Sequence, residues 1–487
     1  MAGILGLGAH IPLHRLGPDT EGWSGTSERA VANFDEDSIT MAVSAAGDCL
    51  RDATRADVDA LYLASTTLPY EEKQAATIVA TAADLDPDIF TTDISHSLRS
   101  GTLALAMALD AAAAGRVKNG LVVASDSRLG PAGSDFEKSS GDGAVCFRVG
   151  TGDEIAVLED LVSVANEIHD VWRPAGETMV RSWEDRFVQQ EGYLDSMSRV
   201  VEVLAKRTGR TLDSFDRIIL VAPDARRHAE AVRTISIPKA KLQDPMFDRL
   251  GNGGSAFGLI QLAAALEEAG PNESILLLNY GDGADATLLR TTANLTSYQR
   301  AKKSRGVAAQ LASKLAVKSY NDYLKWRGLY SEDSGVRRPN MSGPSAAALH
   351  REQAQVLRFH GVKCNKCATV MYPPQRICVS CNNRDDFNEV RLVDEPASLF
   401  TYSMDYIAGS VDVPLVLTVI DFANGARAVL MMTDRDVDRI KIDMPVEIGF
   451  RLARSGGGIT NYYWKALPAR ELFASATREL AGTAAGG

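Results

Sequence analysis

The chain has 487 residues, 45% of them hydrophobic and 24% charged, and carries a formal net charge of −11 at pH 7. That length exceeds one ordinary core and points to several domains; the acidic balance argues against general nucleic-acid binding. No apolar run reaches the roughly 20 residues needed to span a bilayer. The opening stretch MAGILGLGAHIPLHRLG is too short and glycine-broken for a signal peptide or anchor, so a cytoplasmic protein with no membrane contact is expected.

Residues 1–165 alternate short β-type runs with helical ones. DALYLAST (59–66), KNGLVVASDS (118–127) and GAVCFRVG (143–150) read as strands, whereas EKQAATIVATAADL and GTLALAMALDAAAAG have helical composition and length. Residues 166–295 repeat the rhythm: DRIILVAPD (216–224) is a strand, GGSAFGLIQLAAALEEAG (253–270) a helix, and ESILLLNYGDGADATLLR (273–290) a strand with a glycine turn. The shared pattern suggests an internally duplicated α/β unit. A helical linker is expected over 296–355. Its basic, amphipathic helix at 301–318 suits docking of a second domain or partner, or a plain solvated face. SEDSGVRRPNMSGPS then has linker composition. Over 356–480, short strand-like runs such as VPLVLTVIDFA and ARAVLMMT suggest a small barrel, and the tail AGTAAGG suggests disorder.

The chain has six cysteines. Cys364 and Cys367 form one C-x2-C pair, and Cys378 and Cys381 form another. Two such knuckles can supply a tetrahedral S4 cage suited to structural zinc, with rubredoxin-like iron as the alternative. Cys49 and Cys146, in a helix and a strand, read as small core residues.

The ordered set ANFDEDSITMAV, LYLASTTLPYEEKQAATIVA, DISHSLRSGTLALA, VVASDS, GDGAVCF, GNGGSAFGLIQLAAAL and NYGDGADA resembles the thiolase superfamily. The likeness is to 3-hydroxy-3-methylglutaryl-CoA synthases and ketoacyl synthase III. It implies a five-layered α-β-α-β-α fold made of two halves, 1–165 and 166–295, and a homodimer. The knuckles and barrel resemble the zinc-ribbon/OB-fold (DUF35-type) proteins that accompany thiolase-type enzymes, here fused in one chain.

The resemblance also implies a catalytic constellation, most of which is missing. Leu98 stands at the nucleophilic cysteine position, Thr66 at the glutamate and Val221 at the synthase histidine, while Asp224 takes the place of the ketoacyl synthase histidine. Asn252 alone survives. Covalent catalysis through an acyl-cysteine is therefore not expected. What remains polar is His96, Ser97, Arg99, Asp224 and Asn252. His96 is a candidate base and Asn252 a candidate oxyanion holder, whereas Ser97 and Asp224 can equally cap helices. Arg226 and Arg227 lie where the family can place cations near CoA phosphates.

Two functions follow from the resemblance. One is an enzyme that makes or breaks a C–C bond beside a CoA thioester, by aldol, retro-aldol or Claisen-type chemistry without an acyl-enzyme. The other is a catalytically silent subunit whose zinc/OB domain bridges to an active thiolase.

Overall fold

The computed structural model describes residues 2–330 and 343–474. Most of the linker-like stretch after residue 330 and the whole AGTAAGG tail lie outside the described residues. The chain divides into two compact units: Met1–Ala32 with Asp37–Leu311, and Asn33–Glu36 with the chain from Ala312 onward.

The first unit is built in chain order from β1 (Ala2–His10), α1 (Ser38–Cys49), β2 (Ala60–Ala64), α2 (Ala76–Ala82), β3 (Phe90–Ile94), α3 (Ser100–Ala113), β4 (Asn119–Asp126), β5 (Gly143–Thr151) and β6 (Ala156–Ala165). It continues with α4 (Asp195–Thr208), β7 (Arg217–Leu220), α5 (Ala225–Thr234), α6 (Phe257–Glu268), β8 (Ser274–Tyr280) and β9 (Gly283–Thr291). Hydrogen bonds join the strands in the order β7-β8-β9-β6-β1-β5-β4-β2-β3.

The duplication is visible in that order. In the first half β2 runs parallel to β4, which pairs antiparallel with β5, which pairs antiparallel with β1. In the second, β7, β8, β9 and β6 repeat the same relations. The halves meet where Gly3 and Ile4 pair with Val157 and Ala156. Strands such as β4 and β8 read as continuous apolar runs because helices cover both faces.

The helices α3 and α6 pack against each other and lie between the two halves of the sheet, with α1 outside the first half and α4 outside the second. These are the five layers that the resemblance implies. The central helices are rich in alanine and glycine because they must approach closely. At Gly101 an added Cβ would stand 2.4 Å from the Ser255 carbonyl oxygen, just ahead of α6. Only glycine tolerates that approach.

The stretch read as a single helix over 301–318 is broken. Helices occupy Asn294–Ala301 and Gly306–Ala312, and a third turns over Tyr320–Trp326. Carboxylates cause the break. Asp52 accepts from the backbone N–H groups of Lys303 and Ser304, Asp48 from those of Arg305 and Gly306, and Gly306 has φ +69°. Composition favoured helix, but tertiary acceptors offered those N–H groups other partners.

In the second unit, strands His360–Cys364, Val370–Met371 and Phe387–Arg391 form a three-stranded ribbon. Strands Ala397–Asp405, Leu415–Phe422, Arg427–Met432, Pro445–Gly456 and Ile459–Pro468 close a barrel in the order first-second-third-fifth-fourth. Alternate residues such as Ala428, Leu430 and Met432 are buried while Val429 and Met431 face out, the period-2 pattern of a barrel wall.

Candidate active site and four-cysteine cluster

The polar residues of the first unit gather at the carboxyl ends of its strands, where open α/β sheets place ligands. Two cavities adjoin there. One, of about 300 Å³, is lined by Thr66, His96, Ser97, Trp172 and Asp282 among others. The second, of about 400 Å³, is lined by Trp183, Gln189, Asp224, Arg226, Arg227 and Asn252 among others. Leu98, Arg128, Asp170, Val171 and Tyr280 line both.

Leu98 sits where β3 turns into α3. The loop after β8 closes on it, and a Cβ at Gly281 would stand 2.9 Å from the Leu98 Cβ. Arg99 pins this turn. It donates to the carbonyls of Gly281 and Asp282 and forms an ion pair of 2.7 Å with the fully buried Asp285. Thr102 and Ser163 bind the same carboxylate at 3.0 and 2.6 Å. The turn is thus rigid, and the side chain it presents to the cavities is aliphatic.

The expected polar residues divide between the two cavities. His96, exposed and held at φ +73°, lies on the first. The Ser97 hydroxyl accepts from the Arg99 N–H at 3.3 Å in the turn ahead of α3, whose cap residue is Arg99 and which has no side-chain cap. On the second cavity, Asp224 caps α5 by accepting from the Arg227 N–H at 2.9 Å, and it pairs with the Arg227 side chain. Both Arg226 and Arg227 pair with Asp185.

Asn252 is used by the fold. Its amide donates to the carbonyls of Ala222 at 2.9 Å and Pro223 at 3.3 Å, and its oxygen accepts from the Gly254 N–H. An oxyanion role would require one of those donated bonds to break.

Thr66 is also committed. It joins Ser65, Thr67 and the Ser255 N–H around the fully buried Asp126 carboxylate, at 2.7–3.0 Å. Cys49 and Cys146 are buried at 2% and 0% exposure, as expected of core residues. Burial pushes the Cys146 thiol well above its ordinary pKa, which makes it inert as a nucleophile.

Three groups at the junction escaped sequence reasoning. Arg128 is 8% exposed and follows β4; its guanidinium lies 4.9 Å from the Phe136 ring centre. It makes no hydrogen bond or ion pair with any described residue. Burial lowers its pKa, and the carboxylates of Asp126 and Asp170 oppose that shift. Asp170 is pushed above the ordinary aspartate value by burial, against the pull of the Tyr280 hydroxyl, Arg227 and Arg128. The Tyr280 hydroxyl, the last group of β8, is buried without a well-formed hydrogen bond, and burial beside Asp170 raises its pKa. No local motif joins these residues. The one usable signal was that Arg128 and Tyr280 lie at or just after the ends of apolar strands.

In the second unit, the sulfurs of Cys364, Cys367, Cys378 and Cys381 lie within 4.8 Å of one another. Cys364 and Cys381 are 3.7 Å apart, and Cys367 and Cys378 are 3.4 Å apart. A tetrahedron with metal–sulfur bonds of about 2.3 Å has edges of about 3.8 Å, so the four residues fit one divalent ion. Hydrogen bonds from the Thr369 side chain and backbone lower the Cys367 thiol to about 6. At Cys381 the lowering effect of the Asn383 N–H is outweighed by desolvation and the three neighbouring thiols, and its pKa rises to about 12. Four thiolates so close need a cation.

No family model matches the chain. Among curated proteins, it is 26% identical over 343 residues to a hydroxymethylglutaryl-CoA synthase from Methanosphaera stadtmanae, covering 67% of this chain and 99% of that protein. It is 28% identical over 342 residues to the synthase of Caldivirga maquilingensis, covering 67% and 97%. Among solved structures, MvaS in complex with 3-hydroxy-3-methylglutaryl coenzyme A superposes with a TM-score of 0.59 at 21% identity, covering 70% of this chain and 94% of that one. The 3-oxoacyl-[acyl-carrier-protein] synthase III of Aquifex aeolicus gives 0.53 at 21% identity, covering 60% and 100%. The doubled strand order, the paired central helices and these likenesses agree: the first unit has a thiolase-like α/β fold, similar to that of hydroxymethylglutaryl-CoA synthases.

Proposed function

We propose that the first unit binds a CoA thioester in the joined cavities and makes or breaks a C–C bond beside its carbonyl, without an acyl-enzyme. The observation that carries this reading is Leu98. An aliphatic side chain occupies the turn into the helix at which the resemblance places the nucleophile, and the two cysteines of this unit are core residues. Support for the substrate class comes from the relatives' names and from the solved complexes with 3-hydroxy-3-methylglutaryl-CoA and with CoA.

Aldol chemistry of a β-hydroxyacyl thioester needs a group for the β-oxygen proton and a place for the enolate, but no covalent intermediate. In the cleavage direction His96, open to the first cavity, takes the β-hydroxyl proton. The Cα–Cβ bond breaks, the carbonyl fragment leaves, and the electron pair passes to the thioester enolate. Trp172 and Trp183 help form the cavity walls.

For the second unit we propose structural zinc, held by Cys364, Cys367, Cys378 and Cys381. Its ribbon and five-stranded barrel are then a zinc-ribbon/OB-type module. Zinc bound by four thiolates supplies folding energy rather than catalysis.

The test is to assay the purified full chain, alone and with added thiolase, for cleavage of β-hydroxyacyl-CoA thioesters. Activity of the lone chain, falling about 10²–10⁴-fold in His96→Ala, is the expected result. Activity found only with a thiolase, and indifferent to His96, would replace this reading with the bridging subunit. Within the described residues no helix is long and apolar enough to cross a membrane.

A further inference from the structure

The buried charge at the junction of the cavities packs on the Phe136 ring, but its N–H donors have no task among the described residues. Arginine is costly to bury and is ordinarily paired when it is. Arg128 is 8% exposed, yet it makes no hydrogen bond or ion pair with a described residue. The carboxylate nearest in the chain, Asp126, is already satisfied by hydroxyls and backbone N–H groups. The fold itself therefore leaves the guanidinium donors of Arg128 uncommitted, on the wall shared by both cavities and beside Leu98. Asp170 and Tyr280, whose hydroxyl faces that carboxyl, line the same two cavities.

We propose that Arg128 holds the enolate oxygen of a thioester bound at this junction, and that Asp170 carries the proton to and from its α carbon. This rests on the reading above that the cavities take a CoA thioester. In the condensing direction the Asp170 carboxylate takes the α proton. The C–H electron pair forms the enolate C=C bond, and the carbonyl π pair moves onto the oxygen that the guanidinium holds. In the reverse direction protonated Asp170 returns the proton to the α carbon, and the thioester carbonyl re-forms. Burial favours a protonated Asp170, which suits a group that must exist in both forms. Tyr280, whose hydroxyl interacts with Asp170, positions that carboxyl. His96, on the first cavity alone, serves the β oxygen. Two proton transfers are thus assigned to two groups, and the oxyanion contact falls to Arg128 rather than to Asn252.

The test reads the α proton directly. The full-length protein is incubated with acetyl-CoA or propionyl-CoA in D2O, and deuterium at the α carbon is followed by mass spectrometry. Binding of CoA is followed separately by the fluorescence of Trp172 and Trp183. Wild-type protein is expected to exchange the α protons of at least one thioester. Arg128→Met and Asp170→Asn are each expected to slow exchange at least about a hundredfold while binding CoA within threefold of wild type. Because Arg128 has no hydrogen bond or ion pair with a described residue to lose, and methionine can still pack on the Phe136 ring, Arg128→Met should melt at or above the wild-type temperature.

Wild-type exchange rates in Arg128→Met or Asp170→Asn would overturn the assignment, and so would a clear fall in the melting temperature of Arg128→Met. Absence of exchange in wild-type protein would overturn it as well. Cleavage activity with unaffected variants would sink the assignment and leave the broader reading standing. Exchange without any C–C chemistry would do the reverse.

Discussion

Cys378→Ser is expected to release the metal and unfold the ribbon of residues 360–391 while the α/β unit keeps its melting temperature. The buried core of this ribbon consists of Cys364, Met371 and Cys378, with Val362, Cys381 and Phe387 packed around them. Three strands of two to five residues around so few apolar groups cannot offset the entropy of ordering the chain. With the proposed zinc bound, thiolate–metal bonding would supply the difference, with apparent binding energies of about 10–16 kcal/mol in small zinc modules. Cys378 is fully buried, so serine there removes a ligand and leaves a polar atom inside. Elemental analysis should find one zinc per wild-type chain and close to none in the variant, and trypsin should cut the variant within 360–391. A ribbon that resists trypsin without metal would refute the structural role. Iron in place of zinc would correct the metal and leave the cage.

Arg451→Met is expected to destabilise the second unit by about 3–5 kcal/mol. Arg451 is 1% exposed and lies 2.6 Å from Asp434, 3.2 Å from Glu36 and 3.7 Å from Asp35. Lys465 adds a contact of 2.8 Å to Asp35 and lies 5.1 Å from the Phe34 ring centre. Burial alone would lower the Arg451 pKa, but Glu36, Asp434 and Asp35 outweigh it and raise the value overall. Removing the guanidinium leaves those three carboxylates with one lysine in a dry site. Stability should recover in part when Asp434→Asn is added, because the two residues form one network. Urea denaturation followed by barrel tryptophan fluorescence measures both variants. A loss below about 1 kcal/mol would mean that water reaches the cluster.

Much of the fold was legible because it rests on local pattern. The apolar runs at 59–66, 118–127 and 273–290 became β2, β4 and the pair β8–β9, and the Ala-rich segments at 101 and 253 became the central helices. The strand at 216–224 ended early, at Leu220, ahead of Pro223, which cannot donate to a ladder. The paired C-x2-C knuckles announced the sulfur cluster because their chemistry lies close together in sequence.

The active-site reading was less complete, and for a physical reason. His96 and Ser97 could be nominated from sequence because they flank a recognisable strand-to-helix turn. Arg128, Asp170 and Tyr280, which are far apart in sequence, line the same cavities only in the folded chain, and the vacant donors of Arg128 are a property of packing. The sequence also could not show that Asn252 spends its amide on Ala222 and Pro223.

The most direct measurement of the central claim is intact-mass spectrometry of the protein during turnover with its acyl-CoA substrate. The account predicts product formation while the polypeptide mass stays unchanged, since Leu98 offers no atom on which an acyl group can reside. A covalent adduct with the mass of the acyl group, rising and decaying with turnover, would contradict it.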